Sequence, residues 1–192
     1  TGKTVIAFAD TLFRTDYIID TEKDGVIFVQ KVPDPSAYGV VTINGNGVIE
    51  NFVEKPTTFV SDLAIVGIYY FKDGERLKGA MQHLIDNNIT TKGEYQLTDA
   101  MEMLKKQGLQ YYPCTIDEWL DCGNKDVTVE TNGRMLNFLH NDGENLVSSD
   151  VKMENSTIIP PCYIAQDVAL INATVGPNVS LGKGCHIINS TI

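Results

Sequence analysis

Near its start the chain carries a short apolar run, Val5-Ile6-Ala7-Phe8, that ends at Asp10. An unbroken run of this length predicts a strand buried on both faces, in a sheet with helices on either side. Ligands of open α/β sheets sit beyond the carboxyl ends of the strands, so Asp10 is a candidate for holding a ligand or metal, with capping of the next turn as its alternative role. Further strands are predicted at 26–29, running into Lys31-Val32, and at 110–116. Residues 38–43 and 48–53 read as a hairpin joined by Asn44-Gly45-Asn46-Gly47, residue types that tolerate positive φ. The longest apolar run, 63–71, reads as a central strand, and Gly67 within it marks either a bulge or a place where a ligand approaches the backbone.

Between and after these strands the apolar period changes to that of helices. Over 73–88, Leu77, Ala80, Met81, Leu84 and Ile85 share one face, with His83 beside it as a surface or packing residue. A second helix follows Glu94-Tyr95-Gln96-Leu97, with Thr98 or Asp99 as cap, Glu102 completing the box, Ala100, Met101 and Leu104 inward and Gly108 as the stop. A third spans 125–140, with Val127, Thr131, Met135, Phe138 and Leu139 to one side and Gly133 weakening it. Ahead of it lies Asp121, a second carboxylate at a strand end, with Gly123 keeping its surroundings open. The mixture predicts a layered α/β domain over 1–140.

Beyond a turn-rich linker at 141–150 the helical period stops. Asn155-Ser-Thr-Ile158, Asn172-Ala-Thr-Val175 and Asn189-Ser-Thr-Ile192 recur every 17 residues, while Ile158, Ile164 and Leu170, then Val175, Leu181 and Ile187, keep a six-residue beat. This is the pattern of a parallel β-helix over 151–192, in which each coil buries its face only against the next.

Composition narrows the partners. The 15 basic and 25 acidic side chains leave a net charge of −10, which opposes nucleic acid and anionic membranes as partners. A small phosphorylated ligand stays compatible where a metal ion and one or two lysines supply local positive charge. Cys114, Cys122, Cys162 and Cys185 show neither C-x-x-C pairing nor zinc-ligand spacing and are expected to be reduced thiols. No run is long enough to span a membrane and no signal-peptide pattern opens the chain, so a cytoplasmic protein is expected. Thr1-Gly2-Lys3 leads almost at once into a strand, which suggests a piece of something longer.

Six segments in order give a more specific reading: Phe8-Ala9-Asp10, Asp34-Pro35-Ser36-Ala37-Tyr38-Gly39-Val40, Phe52-Val53-Glu54-Lys55-Pro56, Gly67-Ile68-Tyr69-Tyr70-Phe71, Gly93-Glu94-Tyr95-Gln96-Leu97-Thr98-Asp99 and Trp119-Leu120-Asp121-Cys122-Gly123. Together they resemble the sugar-1-phosphate nucleotidyltransferases, enzymes that join a nucleoside triphosphate to a sugar 1-phosphate and often append a left-handed hexapeptide β-helix. The resemblance implies a Rossmann-like sheet layered with helices, N-terminally incomplete, followed by a short left-handed β-helix and a homo-oligomer. It implies that Asp10 and Asp121 hold Mg²⁺, that Glu54 accepts hydrogen bonds from sugar hydroxyls, that Lys55 offsets the sugar phosphate, that Tyr38-Gly39 lets the ring approach the backbone, and that Lys92 stands where a basic phosphate contact is common.

Two departures accompany it. Ala9 replaces the usual Gly before the metal acid, and no G-x-G-x-x-x-P stretch occurs to cradle a triphosphate. The chain therefore resembles the C-terminal part of such an enzyme, expected to be inactive alone, its first strand a middle strand with one edge left open. A non-catalytic regulatory or assembly subunit of the same fold is the alternative.

Overall fold

The run at 63–71 forms the strand around which the first part of the protein is built. In the computed structural model, which describes residues 2–192, the chain separates into two units, one ending at Leu120 and the other Asp121–Ile192. The first contains, in order, β1 (Thr4–Ala7), β2 (Thr11–Arg14), β3 (Gly25–Lys31), β4 (Gly39–Ile43), β5 (Ile49–Glu54), β6 (Leu63–Phe71), α1 (Gly74–Asp86), α2 (Leu97–Lys106), β7 (Tyr111–Thr115) and β8 (Glu118–Asp121), whose last residue falls in the second unit.

The main sheet runs β5-β4-β6-β3-β7, with β1 also paired to β6, while β2 pairs with β8. It is a mixed sheet and departs from the expected Rossmann-like winding. β3 and β7 are parallel, whereas β1, β3 and β4 run antiparallel to β6, and β4 antiparallel to β5. The hairpin at Asn44 and the return of β6 against β3 impose this, since adjacent antiparallel strands need no helical crossover.

Alternation along β3 shows how the sheet is covered. Ile27 and Val29 face a core with Tyr69, Phe71 and Tyr111 and with Leu77, Ala80 and Leu84 of α1 and Ala100, Met101 and Leu104 of α2. Val26 and Phe28 face the other side, with Val66, Ile68, Tyr70, Cys114 and Ile116, against which Ile19 and Trp119 pack. Burial pushes the Cys114 thiol up to about 11, so it stays protonated at neutral pH, and all four cysteines are free thiols.

Several expectations are corrected here. β1 is not buried on both faces: its residues alternate, and Val5 is 58% exposed, because β1 pairs with β6 along one edge and lies on the sheet's margin. α1 is capped by Asp73, whose carboxylate accepts from the amides of Glu75 and Arg76 at 3.1 and 3.2 Å. Ile85, however, is exposed, because the apolar stripe is narrower than the sequence pattern. α2 begins earlier than expected, with Gln96 at the cap position and no side-chain capping bond. Thr98 instead turns inward and is buried, and Asp99 lies in the first turn, where the helix dipole favours a negative charge. His83 is exposed, as expected.

The second unit holds α3 (Lys125–Asn141), β9 (Lys152–Glu154), β10 (Thr157–Ile158), β11 (Cys162–Ile164), β12 (Ala169–Ile171), β13 (Thr174–Val175), β14 (Val179–Leu181) and β15 (His186–Ile188). The helix groups with the repeats rather than with residues before Leu120, which differs from a division at 140. Gly133 supplies the reason: the Cβ of Asn178 lies 3.5 Å from where a side chain at 133 would begin, and Asn132 and Asn137 both bond to Asn178. Leu136 and Thr131 are the buried residues of α3, with Leu136 unforeseen from the sequence pattern.

The 17-residue period appears directly as register. Lys152 pairs with Ala169 and Ala169 with His186, Thr157 with Thr174, and Cys162 with Val179, all in parallel. Ile164, Leu170, Val175 and Leu181 meet in one core, with Ile158 and Ile187 packed against it. At each corner an asparagine is left-handed: Asn155, Asn172 and Asn189 have φ of 44°, 48° and 51°. Their amides form a ladder, Asn155 donating to Asn172 at 2.9 Å and Asn172 to Asn189 at 3.1 Å.

Asn172→Ala removes both ladder bonds and places a Cβ-bearing residue with no polar compensation at positive φ. It is expected to destabilise the second unit by about 2–4 kcal/mol in urea unfolding. Asn172→Gly recovers the conformational part, and a glycine variant no more stable than the alanine variant would remove backbone strain from this account.

Candidate functional site

The open end of the β4–β5 hairpin gathers most of the residues singled out in the first unit. Gly39 and Glu54 are register partners, and the amide of Lys55 donates to the carbonyl of Tyr38 at 3.0 Å, so the Tyr38-Gly39 and Glu54-Lys55 pairs lie side by side. Gly39 is required by its neighbour. A Cβ there would stand 2.9 Å from Glu54 Oε2 and 3.4 Å from Ile65 Cδ1, so the missing side chain makes room for the carboxylate.

Thr98 closes the far side. It is 7% exposed, its hydroxyl donates to Glu54 Oε2 at 3.5 Å, and its Cγ2 lies 3.6 Å from the same empty position on Gly39. The sequence offers Thr98 as a helix cap and as part of the segment Gly93–Asp99, without a role at the site; a hydroxyl on the apolar face of the helix is the available signal. Burial, and after it the charge of Glu54, raises the pKa of the Tyr69 hydroxyl, which remains protonated beside this carboxylate. Tyr38 packs edge-on against Trp119, ring centroids 5.0 Å apart, and that contact fixes one wall.

Lys55 is exposed and has φ of 44°, and buried Pro56 follows it. Lys92 reaches the same corner, but its Nζ donates to the carbonyls of Lys55 at 2.6 Å and Glu54 at 3.4 Å. The corner thus presents a half-buried carboxylate and an exposed ammonium. That combination suits a ligand carrying both hydroxyls and an anionic group.

Gly67 lies elsewhere in the first unit. It has φ of 79° at an irregularity where β6 bulges against β3, and a Cβ there would be 3.1 Å from both Phe8 Cδ2 and Thr11 Oγ1. The bulge reading therefore holds for Gly67, and Phe8, whose amide donates to the Gly67 carbonyl at 2.9 Å, occupies the approach. Asp10 is exposed in the turn that follows β1, between Phe8 and β2. Asp121 belongs to the second unit and is half-buried. Its Oδ1 accepts the Gly123 amide at 3.0 Å, and its carbonyl accepts the Thr131 hydroxyl at 2.6 Å. Among the described residues no group of three or more His, Cys, Asp and Glu side chains is arranged to hold a metal ion. Nor is any described helix long and apolar enough to cross a membrane.

A family model for nucleotidyl transferases matches residues 10–137, from Asp10 through most of α3. The chain belongs to the nucleotidyl transferase family. Among relatives of this nucleotidyl transferase, the bifunctional protein GlmU of Limosilactobacillus fermentum is 30% identical over 151 residues, covering 69% of this chain and 32% of that protein. A glucose-1-phosphate thymidylyltransferase of Streptomyces antibioticus is 28% identical over 167 residues, covering 78% of this chain and 46% of that one. The chain thus spans less than half the length of both relatives. The crystal structure of a nucleoside-diphosphate-sugar pyrophosphorylase from Vibrio cholerae superposes with a TM-score of 0.58 at 20% identity, covering 68% of this chain and 55% of that one, a likeness of fold.

Proposed function

We propose that this nucleotidyl transferase chain is part of a sugar-1-phosphate nucleotidyltransferase and carries its sugar-phosphate side. The observation that carries the reading is the Gly39–Glu54–Lys55 corner inside the family match, where a glycine is left bare for a carboxylate and an ammonium stands next to it. Glu54 accepts hydrogen bonds from sugar hydroxyls and Lys55 faces the phosphate, while Tyr38 and Trp119 form an aromatic wall.

Asp10 and Asp121 are the residues that would hold Mg²⁺. Each is a hard oxygen donor, Asp10 in the turn between β1 and β2 and Asp121 at the end of β8 with Oδ2 outside its bond to Gly123, and carboxylates suit an ion that completes its shell with water and substrate oxygens. Bound there, Mg²⁺ would neutralise phosphate charge as a sugar phosphate oxygen displaces pyrophosphate from a nucleoside triphosphate. The parallel coils of the second unit would form a left-handed β-helix through which copies associate in the cytoplasm.

Titration calorimetry of the 192-residue chain with α-D-glucose 1-phosphate and α-D-mannose 1-phosphate, in MgCl₂, tests the reading. Saturable binding of at least one, stronger than that of the matching 6-phosphate, is expected. If neither sugar 1-phosphate binds more tightly than its 6-phosphate isomer, the assignment of this corner falls.

A further inference from the structure

Two non-glycine residues with left-handed backbones meet at the candidate site, and one side chain joins them. Thr91 and Glu94 exchange both backbone hydrogen bonds, at 2.9 and 3.2 Å, around a two-residue turn whose central residues, Lys92 and Gly93, have φ of 56° and 84°. This is the conformation of a type I′ turn, which favours Asn and Gly. A lysine at its first central position carries strain on the order of 1–2 kcal/mol that the turn itself does not require.

The strained lysine turns its ammonium onto another strained lysine. Nζ of Lys92 lies 2.6 Å from the carbonyl oxygen of Lys55 and 3.4 Å from that of Glu54. Lys55, at φ of 44°, has its amide on the Tyr38 carbonyl at 3.0 Å, and the buried Pro56 ring disfavours a right-handed helical conformation for it. The residue is therefore held at its amide by the neighbouring strand and at its carbonyl by Lys92. Remove the ammonium, and the amide bond and the proline are left to restrain the direction in which Lys55 leaves the end of β5, while Glu54 keeps its pairing with Gly39.

We propose that Lys92 is a positioning residue: its ammonium latches the Glu54 and Lys55 carbonyls and thereby fixes the aim of those two side chains. The inference rests on the assignment of Glu54 and Lys55 to the sugar-phosphate side. It gives Lys92 a different task from an anion contact, because an ammonium bonded at 2.6 Å to one carbonyl and 3.4 Å to another has fewer N–H donors left to offer a phosphate.

Asn is the substitution of choice, since it accepts positive φ and keeps the turn while removing the ammonium. In NMR spectra of the isotope-labelled ligand-free chain, Lys92→Asn should move the amide and carbonyl resonances of Lys55 and leave those of β3 and β7 in place. Unmoved Lys55 resonances overturn the latch, whether or not any sugar binds. In calorimetry with α-D-glucose 1-phosphate, Lys92→Asn should weaken binding about tenfold in the wild-type background and by less than twofold in a Glu54→Gln/Lys55→Met background, where neither side chain is left to aim. A direct phosphate contact predicts the same loss in both backgrounds, and that additive result also overturns the proposal. Absence of binding by the wild-type chain would refute the site assignment instead, with the Lys55 resonances still deciding the latch.

Discussion

Replacing Gly176 by alanine should cost the second unit roughly 3–5 kcal/mol, the largest stability loss expected from adding one methyl group to this chain. Gly176 has φ of 106°, a region closed to side chains. A Cβ there would overlap the carbonyl oxygen of Ile159 and stand 2.5 Å from the Sγ of Cys162, itself buried in the coil core. Neither neighbour is the tip of a flexible side chain: one is backbone, the other sits on β11. The effect is separable from the first unit because the single tryptophan, Trp119, precedes the boundary at Leu120. Urea unfolding should show the far-UV circular dichroism transition moving to lower concentration, together with loss of amide protection at Val175, while the fluorescence transition keeps its midpoint. A variant whose dichroism midpoint matches the wild type would mean that the coil yields where the geometry says it is rigid.

The second large effect is on binding. Glu54→Ala is expected to weaken α-D-glucose 1-phosphate binding between about 10- and 100-fold, the range for losing hydrogen bonds to a charged group. Stability should change little, because Glu54 is half-buried at a strand end and the side-chain bond that it accepts from Thr98 is long at 3.5 Å. An affinity within twofold of wild type in a folded variant would remove Glu54 from the site. Gly39→Ala should act in the same direction but more weakly, since the atom it meets first, Glu54 Oε2, is the free end of a side chain and can swing aside.

How far the sequence reveals this protein depends on whether the deciding contacts are local. β6 occupies the 63–71 run because nine apolar residues leave no alternative but burial, and the repeat is legible because each asparagine corner recurs at its own pairing distance of 17. β1 departs from its sequence pattern for the opposite reason. Val5 and Phe8 are as apolar as a central strand requires, yet their exposure is set by β1 having β6 on one edge, information carried some sixty residues away. The site divides in the same way. Glu54, Lys55 and Gly39 were readable as a motif, and the hairpin turn at Asn44 brings them together. Thr98 was hidden because its partner is 44 residues distant and its position mimics a helix cap. The bond from Lys92 to a backbone carbonyl leaves no trace in residue identity, so only its position near the motif could be read.

The two units also differ in how much chain must be closed before contacts form. In the second, each parallel pair joins residues 17 apart, the same interval at every step, so one coil can template the next with a constant and modest entropic cost. In the first, the parallel pair β3–β7 joins Gly25 to Tyr111, and the β4–β5 hairpin, β6 and both helices between them gain their shared core only once that distant register is found. The coils are thus built by local addition and the sheet by a long search, which places the repeats on the faster folding clock although they come last in the chain.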